Sequence, residues 1–225
     1  MKLDLKQHLK EMISAPGLSG YETPIREIIR TAWQPLSDEI RVNNLGSLQA
    51  IQRGEGPEPR PSVMIAAHMD AIGLMVTGID EGFLRFMQVG GVDPRILPGQ
   101  MVTVHATNAE VARDLPAMVV MPPPALLPKD GKSGPLPQKY LLVDTGLTPD
   151  EVNKLVCVGD VISFATEPLE LCSESISGHT LDNRASVAAV TVALEMLSKR
   201  KHLWDVMAVA TSQEEVGGIG AMTDA

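Results

Sequence analysis

Aromatic residues are scarce in this chain, with two Trp, two Tyr and three Phe making up 3% of 225 residues. Its core must therefore be built from aliphatic side chains and the 12 methionines, and aromatic platforms for sugar rings are nearly absent. Clustered basic residues are also missing, and the net charge of −9 excludes a nucleic-acid backbone as the expected partner. There are two cysteines, Cys157 and Cys172, which form neither a CxxC pair nor a disulfide framework. They read as single buried thiols in a reduced, cytoplasmic setting. No apolar run approaches the roughly 20 residues that a membrane span requires. The N-terminal "MKLDLKQHLKEMIS" alternates charged and apolar residues and lacks the apolar stretch of a signal peptide.

What is present divides into three stretches. Leu5, Leu9, Met12 and Ile13 recur at helical spacing, and a second helix opens at Thr23-Pro24 with Ile25, Ile28, Ile29 and Ala32 on one face. "EIRVNNLGSLQAIQR" reads as two strands about an Asn-Leu-Gly turn, and "SVMIAA" as a strand covered on both faces. From about Ala71 to Phe164 the chain changes to short β-like runs separated by Gly, Pro and Asp-Glu-Gly turns, with one helix candidate, "TPDEVNKL". This pattern predicts a small β-barrel or sandwich inserted as residues 71–164, including an exposed proline-rich loop, "MPPPALLPKDGKSGPLP". A long Ala-rich helix, "LDNRASVAAVTVALEMLSKR", and a buried strand, "DVMAVATS", then restore α/β character, and "VGGIGAM" turns into a further helix. Residues 1–70 and 165–225 thus form one α/β domain interrupted by the insertion, with a parallel strand pair joined by a crossover.

Three places carry ionisable groups just beyond apolar segments: His68 and Asp70 after "SVMIAA", Asp182 at the start of a helix, and Glu214 and Glu215 after "DVMAVATS". Singly, each has an ordinary reading as a hydrogen-bonded loop histidine, a helix cap and a solvated acidic corner. Together they point to one edge of the sheet, because open α/β sheets place ligand sites beyond the carboxyl ends of their strands. Imidazole and carboxylate suit zinc, cobalt or manganese. A ligating histidine usually has its other nitrogen held by a carboxylate, for which Asp70 is placed, and one Glu can bind metal while its neighbour acts as base. His8, His105, His179 and His202 stand in other motifs and read as surface or structural.

The stretches "PGLSGYETPIREII", "NNLGSL", "AAHMDAIGLMV", "GGVDPRILPGQMV", "SGHTLDNRAS" and "EEVGGIGA" occur in this order over almost the whole chain. They resemble the M42 metallo-aminopeptidases, a family of tetrahedral and glutamyl aminopeptidases that also carries older cellulase or endoglucanase labels. The resemblance implies a three-layer αβα, phosphorylase/hydrolase-like catalytic domain with an inserted β-barrel used for assembly. It implies a homo-oligomer of dimers building to a dodecamer, and peptide substrates cut at their free N-termini. By position, His68 would bind one of two divalent ions (zinc or cobalt, or manganese), Asp182 would bridge both, and Glu215 would bind the second. Glu214 would be the general base, with Asp70 supporting His68.

Two departures accompany it. Ala71 stands where many members have Glu, and the family continues past Ala225 to supply a further Asp and a further His ligand. The expectation is therefore of a C-terminally truncated chain with two ligands per ion, weak metal binding and little peptidase activity. Two competing readings are a glycoside hydrolase using Glu214 and a non-catalytic assembly subunit acting through the β insertion. Against the first, adjacent glutamates are poorly placed to flank a glycosidic bond with carboxyls about 5–9.5 Å apart.

Overall fold

The computed structural model describes residues 3–108, 110, 112–123, 125–127 and 136–224. In chain order the elements are α1 (Leu5–Ser14), α2 (Thr23–Trp33), β1 (Glu39–Val42), β2 (Leu48–Gln52), β3 (Ser62–His68), β4 (Gly73–Asp80), β5 (Phe83–Val89), β6 (Met101–Ala106) and β7 (Arg113–Val120). They continue with β8 (Leu142–Asp144), α3 (Pro149–Leu155), β9 (Val161–Phe164), β10 (Leu169–Leu171), β11 (Ser175–Ser177), α4 (Leu181–Leu197), β12 (Asp205–Thr211) and α5 (Ile219–Asp224). Two compact units result, one of Met1–Ala71 with Glu167–Ala225 and one of Ile72–Thr166. Most of the proline-rich loop at 121–137 lies outside the described residues. Among the described residues, no helix is long and apolar enough to cross a membrane.

The first unit is a mixed sheet of order β1-β2-β12-β3 carrying α1, α2 and α4. Asp4 caps α1 by accepting from the Gln7 N–H at 3.1 Å. The cap position of α2 is Glu22 rather than Thr23, which is already helical, and Pro24 lies in the first turn, where its missing N–H costs nothing. The inward faces of these helices place Met12, Ile25, Ile29 and Trp33, all fully buried, against Val187 and Leu194 of α4 and Leu48, Ala50, Ala208 and Ala210 of the sheet. Burying each such large aliphatic side chain is worth about 1.5–3 kcal/mol. Three buried polar side chains meet inside this core: Trp33 Nε1 donates to Thr191 Oγ1 at 2.8 Å, and His8 Nε2 lies 3.3 Å from the same hydroxyl.

β12 pairs antiparallel with β2 and parallel with β3. The "SVMIAA" run is not covered on both faces as its composition suggested. β3 stands at the edge of the sheet among the described strands, with Val63, Met64 and Ile65 each 37–39% exposed. An apolar run reports what a strand is made of, whereas burial depends on which neighbours pack on it. The thiols are likewise not buried: Cys157 is partly exposed, and Cys172, in the β10–β11 turn, is exposed, because neither falls on an inward-facing strand or helix position.

The second unit is a closed barrel of order β4-β5-β8-β7-β6-β9, with α3 beside it. Its strands alternate, so that Val102, Val104 and Ala106 of β6 and Leu115, Ala117 and Val119 of β7 face one core. The β4–β5 connection is two residues, Glu81 and Gly82, both with positive φ, the pairing that a two-residue hairpin requires. α3 begins with a capping box in which Thr148 and Glu151 satisfy each other's backbone N–H groups.

Candidate metal centre

The site is built where the parallel pair β3 and β12 ends. Their register sets Thr211 beside His68, and the Met69 N–H donates to Thr211 O at 3.0 Å, so both chains leave the sheet at one level. Asp70 follows His68 by two residues, and Glu214 and Glu215 follow Thr211 by three and four. A third strand-like segment joins them: Leu18 bridges Ala71 in parallel, bringing the 16–22 loop alongside.

His68 is 8% exposed, and its Nε2 faces Asp182 Oδ1 at 3.2 Å and Glu214 Oε2 at 3.8 Å. Its Nδ1 lies 3.3 Å from the backbone O of Asp70 and 3.5 Å from Asp70 Oδ1. One ligand atom from each of His68, Glu214 and Glu215 lies within 4.8 Å of the others. Burial disfavours the imidazolium, but the carboxylates of Asp70, Glu214 and Asp182 prevail and push its pKa up to about 9. Burial, reinforced by the charges of Asp70, Glu214 and Asp182, pushes the Glu215 carboxyl upward against the pull of His68.

The carboxylates of Asp182, Glu214 and Glu215 gathered about the imidazole of His68 make a donor set of the type that holds hard-to-borderline divalent cations, with Asp70 behind the ring at Nδ1. The charge they accumulate, visible in the raised pKa of His68 and the raised pKa of Glu215, is what a cation would neutralise. The residues present therefore fit a divalent metal.

The family model for the M42 glutamyl aminopeptidases matches residues 46–225. The chain belongs to the M42 peptidase family. A lysyl aminopeptidase of Pyrococcus furiosus is 32% identical over 217 residues, which cover 95% of this chain and 60% of the relative. Among solved structures, the TET aminopeptidase of the marine archaeon Thaumarchaeota archaeon SCGC AB-539-E09 matches with a TM-score of 0.90 at 28% identity, covering 99% of this chain and 62% of that one. The Pyrococcus horikoshii TET1 peptidase, which can assemble into a tetrahedron or a large octahedral shell, matches at 0.84 and 35% identity, covering 98% and 64%. The chain spans about three fifths of the length of the curated relatives it matches.

Within this M42 chain, Asp182 stands at the start of α4, as expected, but it is not the helix cap. α4 is interrupted at Asp182 and Asn183, whose backbones are non-helical, and Thr180 before them has φ 65°. Asp182 is thus carried on a pre-helical turn with its side chain 90% exposed, where it reaches His68 instead of capping the helix. It stands outside the set of three mutually close residues, His68, Glu214 and Glu215. Glu215 is half-buried and Glu214 exposed.

Asp70 has a wider role than a partner of His68. It is fully buried; Oδ1 accepts the Glu214 N–H at 3.0 Å, and Oδ2 accepts the Glu215 N–H at 3.1 Å together with the Ser19 hydroxyl. Burial opposes its ionisation, but His68, Ser19 and the two N–H groups hold its carboxyl below the ordinary value.

Sequence reasoning missed three residues, Ser19, Glu22 and Arg184. Glu22 Oε1 accepts the Gln213 N–H at 3.1 Å. Arg184, fully buried, donates to three backbone carbonyls: Met69 O at 2.9 Å from Nε, and Met12 O and Ala15 O at 2.5 and 2.6 Å from Nη1. It ties α1 and the exit of β3 to α4. A signal existed in the local chemistry, since an arginine within an Ala-rich apolar helix face demands buried acceptors.

The other histidines are engaged elsewhere. His105 Nδ1 lies 2.7 Å from Asp114 Oδ1 on the barrel, and His202 Nδ1 lies 2.7 Å from Trp204 O. Burial, then the Arg184 charge, lowers His179 to about 4.

Proposed function

We propose that this chain carries the greater part of a two-metal aminopeptidase site that removes N-terminal residues from peptides. The observation that carries the reading is the convergence of His68, Asp182, Glu214 and Glu215 where β3 and β12 end, in a chain of the M42 family. His68 and Asp182 would hold one divalent ion, and Asp182 and Glu215 the second, with zinc, cobalt and manganese all compatible with nitrogen and carboxylate donors. Bound there, the ions would polarise the scissile carbonyl and make water acidic enough to ionise near neutral pH.

The remaining steps belong to the protein's own groups. Glu214, exposed while its neighbour is half-buried, is placed to take the proton of the attacking water and return it to the leaving amine. Asp70 holds the backbone N–H groups of both glutamates, fixing where their carboxylates point. The nearby carboxylates favour a substrate bearing a free, positively charged amino group, which restricts cleavage to N-termini. Among the described residues each ion would have two ligands, where a catalytic zinc usually has three.

The catalytic unit is read as a three-layer αβα domain, and the barrel as its assembly module. Outward-facing Met87, Ile96, Met101 and Met118 on the barrel, each more than 40% exposed, support the second assignment. The test compares leucyl-, lysyl- and glutamyl-p-nitroanilides, their N-acetylated forms and carboxymethyl-cellulose in excess Co²⁺. Turnover confined to unblocked anilides and abolished by EDTA is expected. Sugar release, or equal turnover of the acetylated forms, would overturn the reading.

A further inference from the structure

The segment carrying the two glutamates is shaped by side chains rather than by a sheet or a helix. After β12, the Ser212 N–H donates to Ser47 Oγ at 3.2 Å, Gln213 N–H to Glu22 Oε1 at 3.1 Å, Glu214 N–H to Asp70 Oδ1 at 3.0 Å and Glu215 N–H to Asp70 Oδ2 at 3.1 Å. The turn itself occurs at Gln213, whose φ is 55°. A residue with a side chain enters that left-handed region at a cost of roughly 1–2 kcal/mol, so the conformation persists only while its surroundings hold it. The group on the Gln213 N–H is Glu22. Glu22 is 3% exposed, and Oε1 also accepts the Gly20 N–H at 2.7 Å, which locks the 19–22 loop to the same oxygen.

We propose that Glu22 is a positioning residue for the metal site: its buried carboxylate holds Gln213 in the left-handed turn that points Glu214 and Glu215 at His68. The proposal rests on the reading of His68, Glu214 and Glu215 as metal-binding. Without Glu22 the Gln213 N–H loses its acceptor, the turn relaxes toward negative φ, and the glutamates that follow swing away from the imidazole. Glu22 acts through the backbone and is not a ligand.

The experiment is a Co²⁺ titration of the chain, followed by calorimetry, with thermal melting recorded in EDTA. Glu22→Ala should weaken Co²⁺ binding about tenfold, the scale on which groups that orient metal ligands act. Glu22→Gln, which keeps a carbonyl oxygen for the Gln213 N–H, should stay close to wild type. Ile29→Val, which trims a fully buried core residue away from the turn, should lower the melting temperature and leave Co²⁺ affinity unchanged. Should Glu22→Ala not fold, Glu22→Asp keeps the charge, withdraws the carboxylate by one methylene and should show the same loss. Glycine enters the left-handed region freely, so adding Gln213→Gly to either variant should restore much of the affinity. Wild-type affinity in both Glu22→Ala and Glu22→Asp, or an equal loss in Ile29→Val, would overturn the positioning role while leaving the metal site standing. An absence of saturable Co²⁺ binding in the wild type would remove the metal-site reading itself, and the proposal with it.

Discussion

Replacing Asp70 by Asn changes almost no volume and removes one acceptor from the most densely bonded side chain of the site. Three donors meet the carboxylate: the Ser19 hydroxyl and the N–H groups of Glu214 and Glu215, the latter at 3.0 and 3.1 Å. Asparagine offers one oxygen. The Ser19 hydroxyl can rotate and accept from the new amide, but one backbone N–H is left facing an NH₂ group. A buried orphan of that kind costs about 1–3 kcal/mol. The surviving backbone bond drops from charge-assisted to neutral strength, which costs about 1 kcal/mol more. Lost repulsion with Glu215 and lost attraction to His68 have opposite signs, and the attraction, for which Asp70 is the foremost carboxylate partner of His68, is the larger, so it adds to the loss. The two hydrogen-bond contributions sum to a destabilisation of about 2–4 kcal/mol, or about 4–16 °C in Tm for a chain of this size.

Urea denaturation followed by far-UV circular dichroism at pH 5 in EDTA is the appropriate assay, since His68 is then charged in both folded and unfolded chains. The pKa of Asp70 is lowered on folding, so its contribution is present above the ordinary value of 3.8 and is lost as pH falls through the still lower folded value. The gap between wild type and Asp70→Asn should therefore be full at pH 5 and close below 3.8. A midpoint unchanged at pH 5 would refute the view that this carboxylate holds the Glu214–Glu215 turn.

The metal-free chain should lose stability as pH rises. The folded pKa of His68 is raised from 6.5 to about 9, so its contribution is complete below 6.5 and disappears as pH passes 9. At about 1.36 kcal/mol per unit, that window is worth about 3 kcal/mol, and His68→Asn should flatten it in the same denaturation assay. Arg184→Met should destabilise by about 3 kcal/mol: Met69 O and Ala15 O are orphaned at about 1–3 kcal/mol each while Met12 O keeps the Ala15 N–H, and relief of the burial penalty on the guanidinium offsets part of the loss. Burial holds its pKa down to about 10, so it is charged at neutral pH. Because Arg184 also bonds Met69 O between His68 and Asp70, the same variant should weaken Co²⁺ binding, as calorimetry would show.

Local pattern made much of the fold legible. The β runs of the middle segment alternate as barrel strands must, and the Asp-Glu-Gly turn becomes the two-residue β4–β5 hairpin. His68, Asp70, Glu214 and Glu215 could be placed at one edge because the ends of two apolar strands align if the strands are parallel, as β3 and β12 are. What stayed hidden depends on long-range contact. That β3 lies at an edge is a matter of pairing, which its apolar composition does not encode. Glu22 looked like the residue before a helix, and its partner at Gln213 is 191 positions away. Asp182 could be placed at a helix start because Ala-rich sequence follows it, while the turn that carries it depends on the backbone at Thr180, Asp182 and Asn183.

The most direct measurement is the visible absorption of the Co²⁺-substituted chain, titrated at pH 7.5 in parallel with His68→Ala, Asp182→Ala and Glu215→Ala. A saturable d–d spectrum that weakens in all three variants is the expected result. No saturable spectrum, or one indifferent to His68, Asp182 and Glu215, would contradict the assignment of this site as a metal centre.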